Sequence, residues 1–456
     1  MIHPQHDTDT WRILLFASKG TELLALKRPL GFGLPVLQIP RQERIAESLN
    51  AEARRVWNLE TVCVAPLLDP QRTSDDIRYH VMEVLRPEEL RRIAPQAMDL
   101  STLRADAFAD ERDYRAIRRA MKLDASETSD DHSGPFSDFG RFEEIADWVE
   151  AQLAHFGRKW DGEFRQLHVS AFFSLIRFRT KGDAVWFKAT GEPNQLELAI
   201  TERLSALFPQ YVPAVLAVRR DWNAWLANEV MGRPLDANRD LDAWCRAAES
   251  LAELQIASID HVPALLGSGA RDSRTTHLAS QVGPFFAEME KLMETQTKLA
   301  PPKLAARELR STSLRVLDAL SQMEADAIPD ALNHFDMNPG NIVVCTDDCK
   351  FLDWAEAAVG NPFFSFEFLR QHFVRAFADE PEAEFTLRNS YLNPWRRLLR
   401  ESTIKRALAC LPLVGPFAFA AVTLPGNASQ QETECAGLLR SLARRMHRAG
   451  QTLRAA

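Results

Sequence analysis

The segment NHFDMNPGNIVV, Asn333 to Val344, dictates a specific backbone arrangement. It leaves one apolar run, turns through a Pro-Gly pair and enters a second apolar run directly after Asn341. Twelve residues after Asn341, the sequence FLDW places Asp353 at the end of a further apolar run. The interval between them has the pattern strand, acidic turn, strand, which is typical of a β-hairpin. The sequence therefore predicts that Asn341 and Asp353 lie side by side across a hairpin.

These side chains match the requirements of phosphoryl transfer. An amide and a carboxylate oxygen facing one point suit Mg²⁺, which takes one or two protein ligands and completes its octahedron with phosphates and water. Asp336 precedes Asn341 on the same loop, where a carboxylate can orient a hydroxyl or take its proton. We therefore predict Asn341 and Asp353 as metal ligands and Asp336 as the base. We expect His334 to hold the loop by a hydrogen bond near Asp353 rather than to act in acid–base chemistry.

A lysine upstream is a candidate for binding phosphates. Lys188 lies in VWFKAT, a strand-like run between two apolar neighbours. A strand lysine is by default a solvated side chain, but the downstream loop favours a role as a point charge on the α- and β-phosphates. An acidic partner is expected on the following helix, LELAITERLSALF, where Glu197 fits better than Glu202.

The motif resembles that of the aminoglycoside phosphotransferase and choline kinase superfamily, whose signature is close to HGDxxxxN followed by IDW. The matching residues are His334, Asp336, Pro339-Gly340-Asn341 and Asp353-Trp354, with Phe335 in place of the usual Gly. The resemblance covers roughly residue 136 to the C-terminus. It implies a bilobal, protein-kinase-like fold that binds ATP (GTP is possible) with Mg²⁺ and phosphorylates a hydroxyl of a small molecule.

Three segments bear on nucleotide binding within this resemblance. The loop expected to cover the phosphates, VSAFFS, has no glycine, so hydroxyls of Ser170 and Ser174 would replace close backbone approach. WLANEVMGRPL resembles the hinge between the lobes, where backbone groups from Glu229 to Met231 would bind the adenine edge. GNPFFSF departs from the family pattern GDPxxD, and we expect Ser365 to act as a helix N-cap there.

The order of elements predicts an α+β chain with four parts. Residues 1–124 form a separate N-terminal α/β domain, in which residues 44–60 are a helix with Ile45, Leu49, Ala53 and Val56 on its apolar side. Residues 125–135 are an acidic, Ser/Thr/Gly-rich linker. Residues 136–231 are a small β-rich lobe with strands in FRQLHVS, SLIRFRT and AVWFKAT, and residues 232–456 are a helical lobe that contains the loop.

The N-terminal domain resembles a Nudix hydrolase in its rhythm of strand, Gly/Pro loop and helix, in GFGLPVLQIP and AESLNAEARRVWNLE. A Nudix helix carries several glutamates for its metal ions, and in the aligned stretch only Glu52 remains. One carboxylate beside two arginines does not hold the divalent cations that this hydrolysis needs. We therefore predict a degenerate, catalytically silent domain that serves in binding, in substrate gating or in homo-oligomer formation.

Composition excludes several classes of protein. A formal charge of −8 and a pI near 5.8 give no basic footprint for nucleic acid. Six scattered cysteines do not form a disulfide framework. The uncharged stretch from Ala407 to Leu424 is predicted as two buried helical segments broken at Pro412 and Pro416, rather than as a membrane span. The N-terminus has no signal-peptide pattern, so we expect a cytoplasmic protein without a membrane partner.

Two interpretations of function remain open at this point, with a third that is weaker. The leading one is a small-molecule kinase, and the alternative is a pseudokinase that binds nucleotide or scaffolds a partner without turnover. A Nudix-type hydrolase is the weakest. The phosphate acceptor is not identified by the sequence, because overall charge does not locate a binding cleft.

Overall fold

A computed structural model of the chain describes residues 8–41, 44–64, 78–93, 98–99, 104–121, 134–237, 239–346, 348–423 and 432–453. The described chain is α+β, as predicted. It divides into two compact units, the first comprising Met1–Gln195 with Val215–Glu229 and the second Leu196–Ala214 with Val230–Ala456. The predicted linker, residues 125–135, lies outside the described residues except for its last two positions.

The first unit is built from two main sheets and four described helices. Its strands are β1 Thr8–Ala17, β2 Glu22–Leu23, β3 Leu26–Arg28, β4 Gly31–Gly33, β5 Val36–Pro40, β6 Thr61–Cys63, β7 Arg78–Val84, β8 Met98–Asp99, β9 Trp160–Val169, β10 Ser174–Thr180, β11 Val185–Ala189, β12 Val215–Arg219 and β13 Ala224–Asn228. Its helices are α1 Ile45–Trp57, α2 Pro87–Ile93, α3 Glu111–Ala120 and α4 Arg141–His155.

The N-terminal sheet is mixed, and its strand order is β6-β7-β1-β2-β8, with β5 also paired to β1. Strands β1 and β2 form a hairpin, and its turn places Gly20 at φ 87°, a conformation that glycine adopts without steric cost. β1 runs parallel to β7.

Helix α1 is confirmed, but its predicted apolar face is shifted. The buried positions are Ala46, Leu49 and Ala53, whereas Ile45 and Val56 are 42% and 47% exposed. The helix packs with its smallest side chains towards strands β5, β6 and β9. Close approach of the backbones therefore turns the bulkier Ile45 and Val56 to the flanks.

The second sheet of the first unit has the order β12-β13-β11-β10-β9, and the predicted strands in it are confirmed. Because side chains alternate along a strand, its two faces differ. One face is apolar and packs on α4, with Ile176, Phe178, Val185, Phe187 and Ala189 all buried. The opposite face carries Leu175, Arg177, Trp186 and Lys188, each about half-buried. The second face therefore carries charged and hydrogen-bonding side chains.

The N-terminal sheet and the five-stranded sheet share one hydrophobic core, which includes Ile13, Leu49, Phe142 and Phe187. A buried amide joins the two parts as well. Gln166 of β9 accepts a hydrogen bond from the Cys63 amide (2.7 Å) and donates one to the Cys63 carbonyl (2.9 Å). Its oxygen also accepts from Asn50 of α1 (3.0 Å). The Gln166 side-chain amide thus pairs with the backbone N–H and C=O of Cys63 as a residue of a neighbouring strand would.

The second unit is mainly helical. Its helices are α5 Glu197–Leu207, α6 Leu241–Ser258, α7 Val262–Gly267, α8 Thr275–Glu294, α9 Ala306–Ala325, α10 Phe363–Ala376, α11 Ala383–Trp395, α12 Glu401–Thr423 and α13 Glu432–Thr452. Its strands are β14 Arg233–Pro234, β15 Arg271–Ser273, β16 Ala331–His334, β17 Ile342–Val344, β18 Cys349–Phe351 and β19 Ala357–Gly360. The strands form two small sheets, β14-β17-β18 and β15-β19-β16.

Helix α12 corrects the expectation of two segments broken at prolines. It runs unbroken through Pro412 and Pro416, although each proline removes one backbone donor, because the apolar core packs along the helix. By length and composition, α12 is the one helix in the described part of the chain that is able to cross a membrane, and 56% of its most apolar window is buried inside the protein.

Candidate functional site

The polar loop, residues 333–344, is fixed by its own backbone and amide hydrogen bonds. Asn338 Oδ1 accepts from the Gly340 amide (3.0 Å), and the Asn341 amide donates to the Asn338 carbonyl (2.8 Å). The side chain of Asn341 then reaches back, with Nδ2 donating to Asp336 Oδ2 (2.9 Å) and to the Asp336 carbonyl (3.2 Å). The predicted base and the predicted metal ligand are therefore in direct contact.

The hairpin predicted between Asn341 and Asp353 is present. Strands β17 and β18 pair antiparallel with Ile342 opposite Phe351, and the Leu352 amide donates to the Asn341 carbonyl (2.8 Å). Asp353 follows at once and adopts φ 62° and ψ 67°. This left-handed conformation is uncommon outside glycine, and such conformations cluster at functional sites. Asp353 is exposed and lies one residue beyond the backbone hydrogen bond between Leu352 and Asn341.

His334 holds the backbone next to Asp353 by a hydrogen bond, as predicted. It is almost fully buried, and its Nε2 donates to the carbonyl of Leu352 (2.8 Å), the residue before Asp353. Its ring packs against that of Trp354 at 4.6 Å between centroids. A histidine used in this way orients the backbone at Asp353 and is not available for proton transfer.

The expectation that Ser365 caps a helix is wrong. Pro362 occupies the N-cap position of α10, and Ser365 lies within the first turn. The Ser365 hydroxyl accepts from the His334 amide (2.8 Å) and donates to Asn333 Oδ1 (2.8 Å). Asn361 accepts from the Phe363 amide (3.1 Å) through its side chain. Asn333, a fully buried amide in β16, is one residue whose role sequence reasoning missed.

Negative charge collects around the polar loop. Burial raises the pKa of Glu356, and the carboxylates of Asp336 and Asp353 raise it further, while Arg271 opposes them. Sequence reasoning missed Glu356, although it lies three residues after Asp353. Carboxylates that disfavour one another's ionised forms are stabilised by an added cation. The residues present therefore fit a divalent metal ion.

The ligand set that this chain offers is small. In the described residues, no group of three or more His, Cys, Asp or Glu side chains has the arrangement needed to hold a metal ion. The Nδ2 atom of Asn341 is engaged by Asp336, so Oδ1 is the end of that amide suited to a cation. Asn341 and Asp353 would supply two oxygen ligands, which is the number typical of Mg²⁺ sites completed by phosphate and water.

Among the phosphate-binding candidates of the first unit, Lys188 lies on the half-exposed sheet face. The ammonium of Lys188 lies 5.7 Å from the ring centroids of both Phe173 and Trp225. Ser170 closes the glycine-free turn, because its hydroxyl accepts from the Phe173 amide (3.2 Å). Ser174 is buried and points to the opposite face from Leu175 and Lys188. The structure thus brings Phe173, rather than the two serines, to Lys188.

The remaining predicted residues lie in different settings. Glu197, the first residue of α5, is 2% exposed, whereas Glu202 is half-buried, so burial distinguishes the two candidates. Lys188 belongs to the first unit and Glu197 to the second. Met231 is 68% exposed, which leaves only its backbone as a candidate contact for a base.

Glu229 has a partner that the sequence did not predict. The Arg177 guanidinium, on β10, donates to both oxygens of Glu229, from Nε (2.6 Å) and from Nη2 (2.8 Å). This hydrogen-bonded pairing lowers the pKa of the Glu229 carboxyl. The nearby Trp186 side chain lowers the pKa of the Glu229 carboxyl further. A rigid cluster of charged and aromatic groups therefore occupies the segment predicted to contact the nucleotide base.

Comparisons with known proteins agree with the sequence resemblance in part of the chain. Residues 189–399, just under half of the chain, match the model of the Phosphotransferase enzyme family. A search of the curated proteins found no match. The match begins one residue after Lys188 and leaves the N-terminal region outside it, so the Nudix-like interpretation stays a prediction.

Solved structures give similarities at low identity. A macrolide 2'-phosphotransferase from Brachybacterium faecium is 18% identical, with a TM-score of 0.40, covering 62% of this chain and all of the other. A choline kinase from Cryptosporidium parvum is 11% identical, with a TM-score of 0.47, covering 69% and 95%. A choline/ethanolamine kinase family protein from Mesorhizobium loti is 16% identical, with a TM-score of 0.42, covering 68% and 94%.

Proposed function

We propose that this protein is a Mg²⁺-dependent phosphotransferase that moves the γ-phosphoryl group of a nucleoside triphosphate to a hydroxyl of a small molecule. The observation that carries the proposal is the hydrogen bond from Asn341 Nδ2 to Asp336 Oδ2 (2.9 Å) beside a left-handed Asp353. It holds a carboxylate and two metal-binding oxygens on one loop and hairpin, which is the arrangement that phosphoryl transfer requires.

Each residue has a stated task in this proposal. Asp336 accepts the proton of the acceptor hydroxyl on Oδ1, because Oδ2 already accepts from Asn341. The acceptor oxygen forms the new bond to the γ-phosphorus as the bond to the bridging oxygen of the nucleoside diphosphate breaks. Asn341 and Asp353 bind the metal, and His334 keeps Asp353 in place through Leu352. When bound, Mg²⁺ neutralises the developing charge on the phosphates.

Lys188 and Glu197 complete the proposal from sequence. Lys188 contributes a positive charge for the α- and β-phosphates, and the faces of the Phe173 and Trp225 rings attract its ammonium. Glu197, buried at the start of α5, is the predicted acidic partner of Lys188. Ser170 keeps a role in shaping the turn above the phosphates. Ser174, on the opposite face, is dropped from the proposal.

The test has two steps, because binding and turnover are separate properties. Thermal shift with ATP and with GTP, each with and without Mg²⁺, measures nucleotide binding in the absence of an acceptor. Transfer of γ-labelled phosphate is then screened over amino sugars, amino alcohols, simple sugars, macrolides and peptidic antibiotics. Mg²⁺-dependent stabilisation followed by label on one class supports the proposal.

A second candidate function is favoured by one observation. The Arg177–Glu229 ion pair and Trp186 fill the segment predicted to contact the base, which is consistent with a pseudokinase. That function predicts either no nucleotide binding or binding without transfer to any acceptor in the panel. Labelled product therefore excludes it. Absence of a nucleotide-induced thermal shift would contradict the proposed function.

A further inference from the structure

Three side chains of the first unit form a cluster that no predicted role uses. Arg177 and Trp186 lie opposite each other on β10 and β11, and Glu229 follows β13. Trp186 is two residues before Lys188 on the same strand, so both side chains are on one face, roughly 7 Å apart along it. The cluster is thus next to the predicted phosphate lysine, on the side towards the predicted base segment.

The cluster is ordered but reachable. The side chains of Arg177 and Glu229 are 26% and 23% exposed, and both oxygens of the carboxylate are engaged by the guanidinium. The Glu229 amide donates to the Ala184 carbonyl (3.0 Å), which fixes the backbone that carries this carboxylate. Glu229 therefore holds the Arg177 plane in one orientation.

The hydrogen-bonding capacity that remains belongs mainly to Arg177. A guanidinium has five N–H donors and no acceptor, and Glu229 uses the Nε donor and one on Nη2. The other three donors suit a group that presents acceptors only. Along one edge guanine presents two acceptors, O6 and N7, whereas adenine presents N7 beside an amino group that is itself a donor.

We infer that Arg177, held in place by Glu229, selects guanine over adenine, so that GTP is the preferred phosphate donor. Trp186 supplies an aromatic edge beside the base. This inference rests on the proposed function, because it assigns the donor nucleotide of that same site. It differs from the sequence expectation, in which backbone groups alone contact an adenine.

The test measures binding of non-hydrolysable GTP and ATP analogues to the full chain with Mg²⁺ and no acceptor, by calorimetry. We expect the guanine analogue to bind about tenfold more tightly, the discrimination of one good guanidinium–guanine contact. In Arg177→Gln, binding of the guanine analogue should weaken to the level of the adenine analogue, which itself should change little. Glu229→Gln should lose most of the preference, because Arg177 is then no longer held.

A matched control breaks a different ion pair of the same sheet. Asp161→Asn removes the carboxylate bonded to Arg179 Nε (2.6 Å), a side chain two residues beyond Arg177 on β10. This variant should keep the tenfold preference. The outcomes separate the two proposals. Binding of neither analogue overturns the proposed function itself.

Equal or tighter binding of the adenine analogue overturns the inference and leaves the proposed function in place. Stronger binding of both analogues by Arg177→Gln also overturns it, because the ion pair would then block the base rather than recognise it. The wild-type preference needs no variant, so it decides the question even if a substituted chain does not fold.

Discussion

The N-terminal helix α1 and the polar loop both carry carboxylates, but the two regions treat the negative charge in opposite ways. On α1, Glu52 accepts hydrogen bonds from Arg55 Nε (2.8 Å) and Arg55 Nη2 (2.6 Å), and this pairing lowers the pKa of the Glu52 carboxyl. Glu47 accepts from Arg165 Nε (2.8 Å). Around the polar loop, burial raises the pKa of Glu356, and the carboxylates of Asp336 and Asp353 raise it further.

His334 in the polar loop and His80 in the N-terminal sheet are both buried, and their hydrogen bonding differs. His334 donates to a backbone carbonyl, whereas neither ring nitrogen of His80, in β7, has a hydrogen-bond partner among the described residues. The difference between the carboxylates of α1 and those of the polar loop distinguishes a candidate site from the structural scaffold. Carboxylates matched by arginines are already neutralised, whereas carboxylates gathered beside one another retain an attraction for a cation.

The largest effect is expected from Asp336→Asn. It removes the acceptor of the substrate proton, and general base catalysis contributes about 10²–10⁴-fold, so kcat should fall by that factor. Nucleotide binding, measured by thermal shift, should be retained. Activity within a few-fold of wild type would show that Asp336 is not the base. The Asp336 carboxylate would then have no catalytic role, as we expect for the carboxylates of α1.

Asp353→Ala should be nearly as damaging, but through the metal. Loss of one of two protein ligands removes several kcal/mol of charge stabilisation, which is about a thousandfold in kcat/KM. Raising the Mg²⁺ concentration should recover part of the activity, unlike in Asp336→Asn. A Mg²⁺ titration checks this difference, and identical titration curves for the two variants would contradict the assigned roles.

The third prediction concerns stability against pH. Burial lowers the pKa of His80 to about 4, below the value near 6.5 expected for an unfolded chain. Between these values the unfolded chain binds a proton that the native state does not, so stability is complete above pH 6.5 and is lost as the pH falls towards 4. The loss should reach about 3 kcal/mol.

Urea unfolding at pH 7 and pH 4 measures this loss. His80→Phe should remove most of it, and the exposed His155→Gln should leave it unchanged. A small remainder is expected from His168, whose pKa burial also lowers. Equal acid sensitivity of His80→Phe and wild type would mean that other groups set the pH dependence of this region.

The smallest effect is expected in α1. Glu52→Gln should leave kcat/KM within about twofold of wild type, because its carboxylate is committed to Arg55. The matched measurement is nucleoside-diphosphate cleavage, in which wild type and Glu52→Gln should be equally inactive. Cleavage that depends on Glu52 would show that α1 is a catalytic helix and would remove the contrast with the polar loop.

Local pattern was sufficient for much of the fold and part of the site. Pattern located α1, α5 and three strands of the five-stranded sheet, and the motif spacing located the β17–β18 hairpin. These features depend on the identity of neighbours along the chain. The contact between Asn341 and Asp336 follows for the same reason, because the two residues share one short loop.

What the sequence did not reveal depends on register and tertiary packing. Arg177 meets Glu229 only because β10, β11 and β13 pair in one particular register. Ser365 bonds Asn333 and not its own helix end, because a buried amide elsewhere competes for the hydroxyl. Helix α12 continues through its prolines because the surrounding core packs on it, which no local rule contains.

The amide contact of Gln166 with Cys63 has a consequence for how this protein can be shortened or recombined. Cutting the chain at the predicted linker, so that it starts at residue 136, would remove Cys63, leave the Gln166 side chain without its backbone partners and expose part of the shared apolar core. Because the N-terminal sheet and the five-stranded sheet share one apolar core, we expect that neither part folds stably when it is expressed alone.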